Sequence, residues 1–119
     1  MKPHILLVED EDAVREISTQ MLTLLGYQVT SAVDGPEALS VFTRDPSSFD
    51  LLMLDLNLPG MSGRQLLLEL RKLRPDARAI FCSGDPEPES NPGDPPHLYK
   101  PYRLVELKSC IESQLSASR

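Results

Sequence analysis

Four places in this 119-residue chain put a reactive side chain directly behind a short apolar run. Ile5-Leu6-Leu7-Val8 leads into Glu9-Asp10-Glu11-Asp12, Leu51-Leu52-Met53-Leu54 into Asp55, Ala79-Ile80-Phe81-Cys82 into Ser83, and His97-Leu98-Tyr99 into Lys100. Taken singly, each has an ordinary structural role: acids at the start of a helix are stabilised by its dipole, and a lysine is most often solvated. Brought together they are chemistry. Carboxylates within a few ångströms raise one another's pKa unless a cation stands between them. An all-oxygen set without a histidine or cysteine cluster points to Mg2+, Mn2+ or Ca2+, and a site of two or three protein oxygens points to Mg2+, which keeps several waters and shares a phosphate. Lys100 brings positive charge for such a phosphate, Ser83 a hydroxyl, and the backbone of Leu56 and Asn57 further coordinating oxygens. These are the parts of a site that transfers a phosphoryl group in line. Asp55, behind the middle run, is the expected acceptor, because a carboxylate is a competent nucleophile for making an aspartyl phosphate. Glu9 and Asp10 are then the metal ligands.

The elements that must hold these residues alternate in type. The apolar runs read as strands, with Gln28 to Ala32 as a further one carrying the β-branched Val29 and Thr30. Between them lie segments of helical period: Val14, Ile17, Met21, Leu24 and Leu25, stopped by Gly26; Ala38, Leu39 and Phe42, opened by Gly35-Pro36 and stopped by Asp45-Pro46; Leu66, Leu67, Leu70 and Leu73, closed by Pro75; and Leu104, Leu107, Ile111 and Leu115 at the end. Strand and helix in alternation predict βαβ units, a parallel sheet and helices on both of its faces. In such sheets ligands bind beyond the carboxyl ends of the strands, which is where the acids, the serine and the lysine fall.

Composition bounds the rest. With 40% apolar and 25% charged residues, the chain is expected to fold as one domain over residues 1–119. A net charge of -6 repels nucleic-acid backbones, so direct binding to DNA or RNA is not expected. No apolar run exceeds four residues, which excludes a membrane span and a signal-peptide core and predicts a cytoplasmic protein. Cys82 and Cys110 have neither metal-ligand spacing nor a disulfide framework and are read as reduced, small apolar side chains. Proline is the outlier, with 11 in all and Pro86, Pro88, Pro92, Pro95 and Pro96 close together. Each proline in a helix interior costs about 3 kcal/mol, so no α-helix is predicted across 84–96.

Ile-Leu-Leu-Val-Glu-Asp-Glu-Asp at 5–12, Leu-Met-Leu-Asp-Leu-Asn-Leu-Pro-Gly-Met-Ser-Gly at 52–63 and Lys100-Pro101-Tyr102 resemble the three signature segments of receiver domains of bacterial two-component response regulators. The resemblance implies a three-layer flavodoxin-like (βα)5 fold with strand order 2-1-3-4-5. It also implies Mg2+ and phosphorylation of Asp55 by a histidine kinase or a histidine phosphotransfer protein. By position, Glu9 and Asp10 match the acidic metal-binding pair, Asn57 the residue whose backbone carbonyl joins the metal, Ser83 the hydroxyl residue that moves toward the phosphoryl group, and Lys100 the lysine that contacts it. Lys100-Pro101 matches a bond that is commonly cis in the family. Asp85, two residues after Ser83, sits where a side chain tunes dephosphorylation.

Two departures stand beside the likeness. The family's fourth helix is replaced by the proline-rich loop 84–96, and His97 stands where the family places its switch aromatic. Ser83, His97 and Tyr99 are the switch candidates, with Tyr99 or Tyr102 the expected substitute for the aromatic and His97 expected to be an exposed strand residue. Any kinase or output domain would be supplied outside these 119 residues. Two other classes share parts of this pattern. One is a receiver-like protein-binding module that is not phosphorylated. The other is a phosphohydrolase of the haloacid dehalogenase type, which needs a second aspartate two residues after the nucleophile where this chain has Asn57.

Overall fold

The two apolar runs that carry acids at their ends, β1 (His4–Val8) and β3 (Leu51–Asp55), lie side by side in the middle of a five-stranded sheet. The structure, a computed structural model, describes residues 2–85 and 90–116. β2 (Gln28–Ala32) flanks β1, while β4 (Ala79–Ser83) and then β5 (His97–Tyr99) follow β3, so the order is β2-β1-β3-β4-β5 with every pairing parallel. The helices between them are α1 (Asp12–Leu24), α2 (Gly35–Arg44) and α3 (Gly63–Leu73), with α4 (Leu104–Ser116) last and a short 3-10 turn at Pro46–Ser48. This is the predicted three-layer flavodoxin-like arrangement.

Alternation along the strands decides which helix each residue meets, because successive side chains point to opposite faces. Leu6, Val8, Leu52, Leu54 and Phe81 face α2 and α3, where they pack with Ala38, Phe42, Leu66 and Leu70. Ile5, Leu7, Met53, Ile80 and Cys82 face α1 and α4, against Leu22, Leu107 and Ile111. Both faces of β3 and β4 are therefore buried, which is why their sequences read as continuous apolar runs instead of alternating ones. Gly26, at φ +94°, supplies the left-handed turn that ends α1, and Ser62 with Gln65 forms a reciprocal capping box that starts α3 beside the end of β3.

Between β4 and β5 the described residues, 84–85 and 90–96, contain no helix. Pro86 and Pro88 lie outside the described residues. Asn91-Pro92-Gly93-Asp94 forms a turn closed by the Asp94 N–H on the Asn91 carbonyl at 3.1 Å, with proline at its second position and Gly93 at φ +85° at its third. Phe81 is nevertheless fully buried, under a polar roof. The Arg64 guanidinium lies 5.4 Å over its ring, and the His97 ring meets it edge-on at 5.6 Å. Asp94 ties these two together, accepting from Arg64 at 2.5 Å and facing His97 Nε2 at 3.3 Å.

His97 is thus not the exposed strand residue expected from sequence: its side chain is 18% exposed. The reason is register. His97 pairs directly with Phe81, so both side chains stand on the same face of the sheet, over the site that a helix would otherwise cover.

The Arg64 hydrogen bond, with the Asn91 N–H behind it, holds the Asp94 carboxyl down to about 2, below the usual carboxylate range. A depressed carboxylate contributes stability above its unfolded pKa of about 4, and that contribution is lost as pH falls through the folded value. Asp94→Asn is expected to lower the melting temperature at neutral pH and to flatten its fall between pH 4 and pH 2. Thermal melts across that range check this.

Candidate functional site

At the carboxyl end of the sheet, β1, β3 and β5 bring their terminal residues to one point. One carboxylate oxygen from each of Glu9, Asp10 and Asp55 lies within 4.8 Å of the others. Lys100 Nζ reaches into this group, 2.9 Å from Glu9 Oε1 and 3.2 Å from Asp55 Oδ2. Asp55 Oδ1 accepts the Asn57 backbone N–H at 3.0 Å, which turns the chain after β3 around the carboxylate. Glu9 Oε2 accepts the Glu11 N–H at 3.1 Å. A cleft of about 500 Å³ opens on the cluster, and Asp10, Asp55, Asn57, Gly84, Lys100 and Tyr102 are among its walls.

Asp55 is buried and its buried neighbour is Glu9, whereas Asp10 is exposed. Glu9 extends β1 by one residue, its N–H bonding to the Ala32 carbonyl at 3.1 Å, and its side chain runs inward to Lys100. Asp10 is the first residue past that pairing.

The electrostatics follow from this packing. Burial raises the Glu9 pKa, opposed by the Lys100 hydrogen bond and reinforced by the charge of Asp55. Burial alone would lower that of Lys100; the Glu9 hydrogen bond and the Asp55 charge outweigh it and keep the ammonium protonated well above its ordinary range. Burial also pushes the Cys82 thiol far up, consistent with a free, buried cysteine acting as an apolar side chain. Ser83 is buried at the end of β4, and its hydroxyl accepts the Asp85 N–H at 3.0 Å. Its carbonyl accepts the Lys100 N–H at 2.7 Å, and the Lys100-Pro101 peptide is cis. Tyr99, in register with Ser83, is exposed on the surface. Ser18, which meets Tyr102, and Arg64, which meets Asp94, carry no local sequence signal for these contacts; only the Asn-Pro-Gly-Asp turn around Asp94 does.

Residues 5–92 match the family described as response regulator receiver domain. The chain belongs to that family. This receiver domain is 39% identical to the sensor kinase CckA of Brucella abortus, over 93% of the chain and 12% of the kinase. It is 32% identical to the response regulator receiver protein CpdR of the same organism, over 96% of the chain and 98% of CpdR. It spans 46% of a third relative, the probable transcriptional regulator ycf27 of Cyanidium caldarium. Among solved structures it matches the response regulator TrrA of Thermotoga maritima in complex with Mg2+-BeF. There the TM-score is 0.85 and the identity 32%, over 97% of this chain and all of TrrA. Receiver domains are phosphorylatable signalling modules of two-component systems, and this chain is one. Among its described residues, no helix is long and apolar enough to cross a membrane.

The residues present suit a divalent cation. Three carboxylates against one ammonium leave two negative charges in a partly buried space, and every donor is a hard oxygen. Lys100 carries much of the compensation. Its side chain is 15% exposed, and replacing it leaves buried Glu9 and Asp55 facing each other. Lys100→Met is expected to destabilise the domain by about 2 kcal/mol at neutral pH, less than for a fully enclosed pair because the cleft admits water. Added Mg2+ is expected to recover much of that loss. Urea unfolding with and without Mg2+ checks both.

Proposed function

We propose that Asp55 is the phosphoryl acceptor of this receiver domain, taking the group from a phosphohistidine on a histidine kinase or a histidine phosphotransfer protein. The observation that carries the reading is the meeting of Glu9, Asp10 and Asp55 oxygens within 4.8 Å at a cleft mouth, with Lys100 Nζ bridging two of them. An Asp55 carboxylate oxygen forms the new O–P bond as the P–N bond of the phosphohistidine breaks, and the imidazole leaves with the electron pair and is protonated. Glu9, Asp10 and Asp55, with the Asn57 backbone carbonyl, would hold Mg2+, whose charge offsets that of the phosphoryl oxygens. That TrrA is in complex with Mg2+-BeF supports this choice of cation. Lys100 exchanges part of its bond to Asp55 for the phosphoryl oxygens, and Ser83 donates its hydroxyl to the same group.

The output route uses the face shared by β4 and β5. Phe81 pairs with His97 and Ser83 with Tyr99, so these four side chains stand in two rows on one face. Ser83, His97 and Tyr99 are the switch residues of this reading, with movement of Ser83 felt first by its neighbours on β5. The domain catalyses only its own phosphorylation and dephosphorylation. It acts in the cytoplasm through protein partners, without touching nucleic acid or membrane, and a kinase or output domain fused to it would lie outside these residues.

Intact mass after treatment with phosphoramidate and Mg2+ tests the assignment. One phosphoryl adduct is expected, located at Asp55 and absent with EDTA. No adduct at saturating Mg2+ would leave the non-phosphorylated binding module as the better reading. Asp85 is exposed, with its N–H on Ser83, and in this reading its carboxylate acts on water approaching the acyl phosphate. Asp85→Ala is expected to change the phosphoryl lifetime by about threefold without preventing labelling. The decay of the adduct mass after donor removal measures it.

A further inference from the structure

Ser18 and Tyr102 have no role in the chemistry described above, yet they join the two halves of the site. Ser18 sits in the second turn of α1 and is buried, and its Oγ lies 2.5 Å from the Tyr102 hydroxyl. The Tyr102 ring packs on the core face shared by α1 and α4. Both residues line the cleft that also holds Asp10, Asp55 and Lys100.

Their places in the chain give the bond its consequence. α1 follows directly from the acidic run that contains Glu9 and Asp10, with Glu11 alone between Asp10 and the first residue of the helix. Tyr102 is two residues past Lys100. Lysine is a long, flexible stem, and where its ammonium sits depends on how firmly its backbone is held. On the sheet side that backbone is fixed by the Lys100 N–H on the Ser83 carbonyl at 2.7 Å. Toward α1, the segment is fastened by the Tyr102 hydroxyl on Ser18.

We infer that Tyr102, acting through Ser18, is a positioning residue for Lys100, holding the segment that carries the lysine against the helix that follows the acids. Lys100 Nζ is thereby set between Glu9 and Asp55 before the phosphoryl donor arrives. A misplacement of about 1 Å in such a group is enough to slow a reaction substantially. The inference rests on Asp55 being the acceptor.

Tyr102→Phe keeps the ring and its packing and removes only the hydroxyl; Ser18→Ala removes the other half of the bond. In each variant the maximum rate of phosphoramidate labelling is expected to fall about fivefold, with the half-saturating donor concentration unchanged. The double variant should lose no more than either single one, because one bond is removed in all three. A second readout needs no phosphorylation. Acylation of Lys100 by an amine reagent, compared by peptide mass with acylation of Lys72, should speed up about threefold in either variant as the ammonium leaves its carboxylates. Cys82 should stay protected from a thiol reagent.

A wild-type value for either Lys100 acylation or the maximum labelling rate overturns the inference. So does Cys82 becoming reactive in step with Lys100, which would mean a general loosening of the core. Failure of the wild-type chain to label at all would instead count against Asp55 as acceptor, while the acylation readout still reports on Tyr102.

Discussion

Asp55→Asn is expected to abolish phosphoryl labelling and, in the absence of Mg2+, to leave the domain slightly more stable than the wild type. The first effect is chemical, since an amide oxygen is no nucleophile for phosphorus under these conditions. The second follows from counting charges around the site. Asp55 has two like-charged neighbours, Glu9 and Asp10, and one opposite, Lys100. Its carboxylate is also buried, and a buried charge carries a desolvation penalty. Replacing it by a neutral amide removes two repulsions and that penalty against a single attraction, while its Oδ1 can still accept the Asn57 N–H. The Lys100–Glu9 pair at 2.9 Å remains. A gain of about 1 kcal/mol is expected from the relief of repulsion. Mg2+ should stabilise the variant less than the wild type, because the excess negative charge falls from two to one. Intact mass and urea unfolding, each with and without Mg2+, check these effects. A variant markedly less stable than the wild type without metal would mean that attraction to Lys100 outweighs the rest.

The same counting shows what was legible in the sequence. An acid behind an apolar run too short for a helix is a strong signal, because in a parallel sheet the carboxyl ends of the strands lie along one edge. That reasoning alone brings Glu9, Asp10, Asp55 and Lys100 together, as the structure does, with Ser83 beside Lys100 through the backbone. Which of two adjacent acids turns inward was not legible. It depends on whether β1 pairs with β2 for one more residue, and the Glu9 N–H on the Ala32 carbonyl is invisible in a string of four acids. The prolines likewise argued against a helix before β5, and among the described residues there none is helical, but they did not say what would cover Phe81. Arg64 and Asp94 meet across thirty residues of sequence, and nothing local to either predicts the other. His97 read as exposed for the same reason. Its burial is a property of register with Phe81 and of partners brought from α3 and the loop.

Gly63→Ala is expected to be the most damaging small substitution in the domain, costing about 3 kcal/mol and slowing phosphoryl labelling by roughly tenfold to a hundredfold. The cause is close approach, with no unusual backbone angle involved. Gly63 begins α3, and its N–H bonds the Leu56 carbonyl at 3.1 Å, pressing the helix start against the end of β3. An added Cβ would come within 3.0 Å of the Asp55 carbonyl carbon and of Leu56 Cα, and closer still to the Asp55 carbonyl oxygen. These are backbone atoms, of Asp55 at the buried end of β3 and of Leu56 just after it, so no side chain can swing aside to make room. Either α3 withdraws from its capping box on Ser62 and Gln65, or the backbone of Asp55 shifts. The first loses helix stability, and the second moves the carboxylate away from Lys100 and Glu9. Gly84→Ala is the matched comparison. It stands next to Ser83, yet an added Cβ there meets nothing within 4 Å, and near wild-type stability is expected. Urea unfolding and phosphoramidate labelling of both variants separate crowding at Asp55 from a general intolerance of change near the site. A Gly63→Ala variant that unfolds and labels as the wild type does would mean that α3 moves away from β3 at almost no cost.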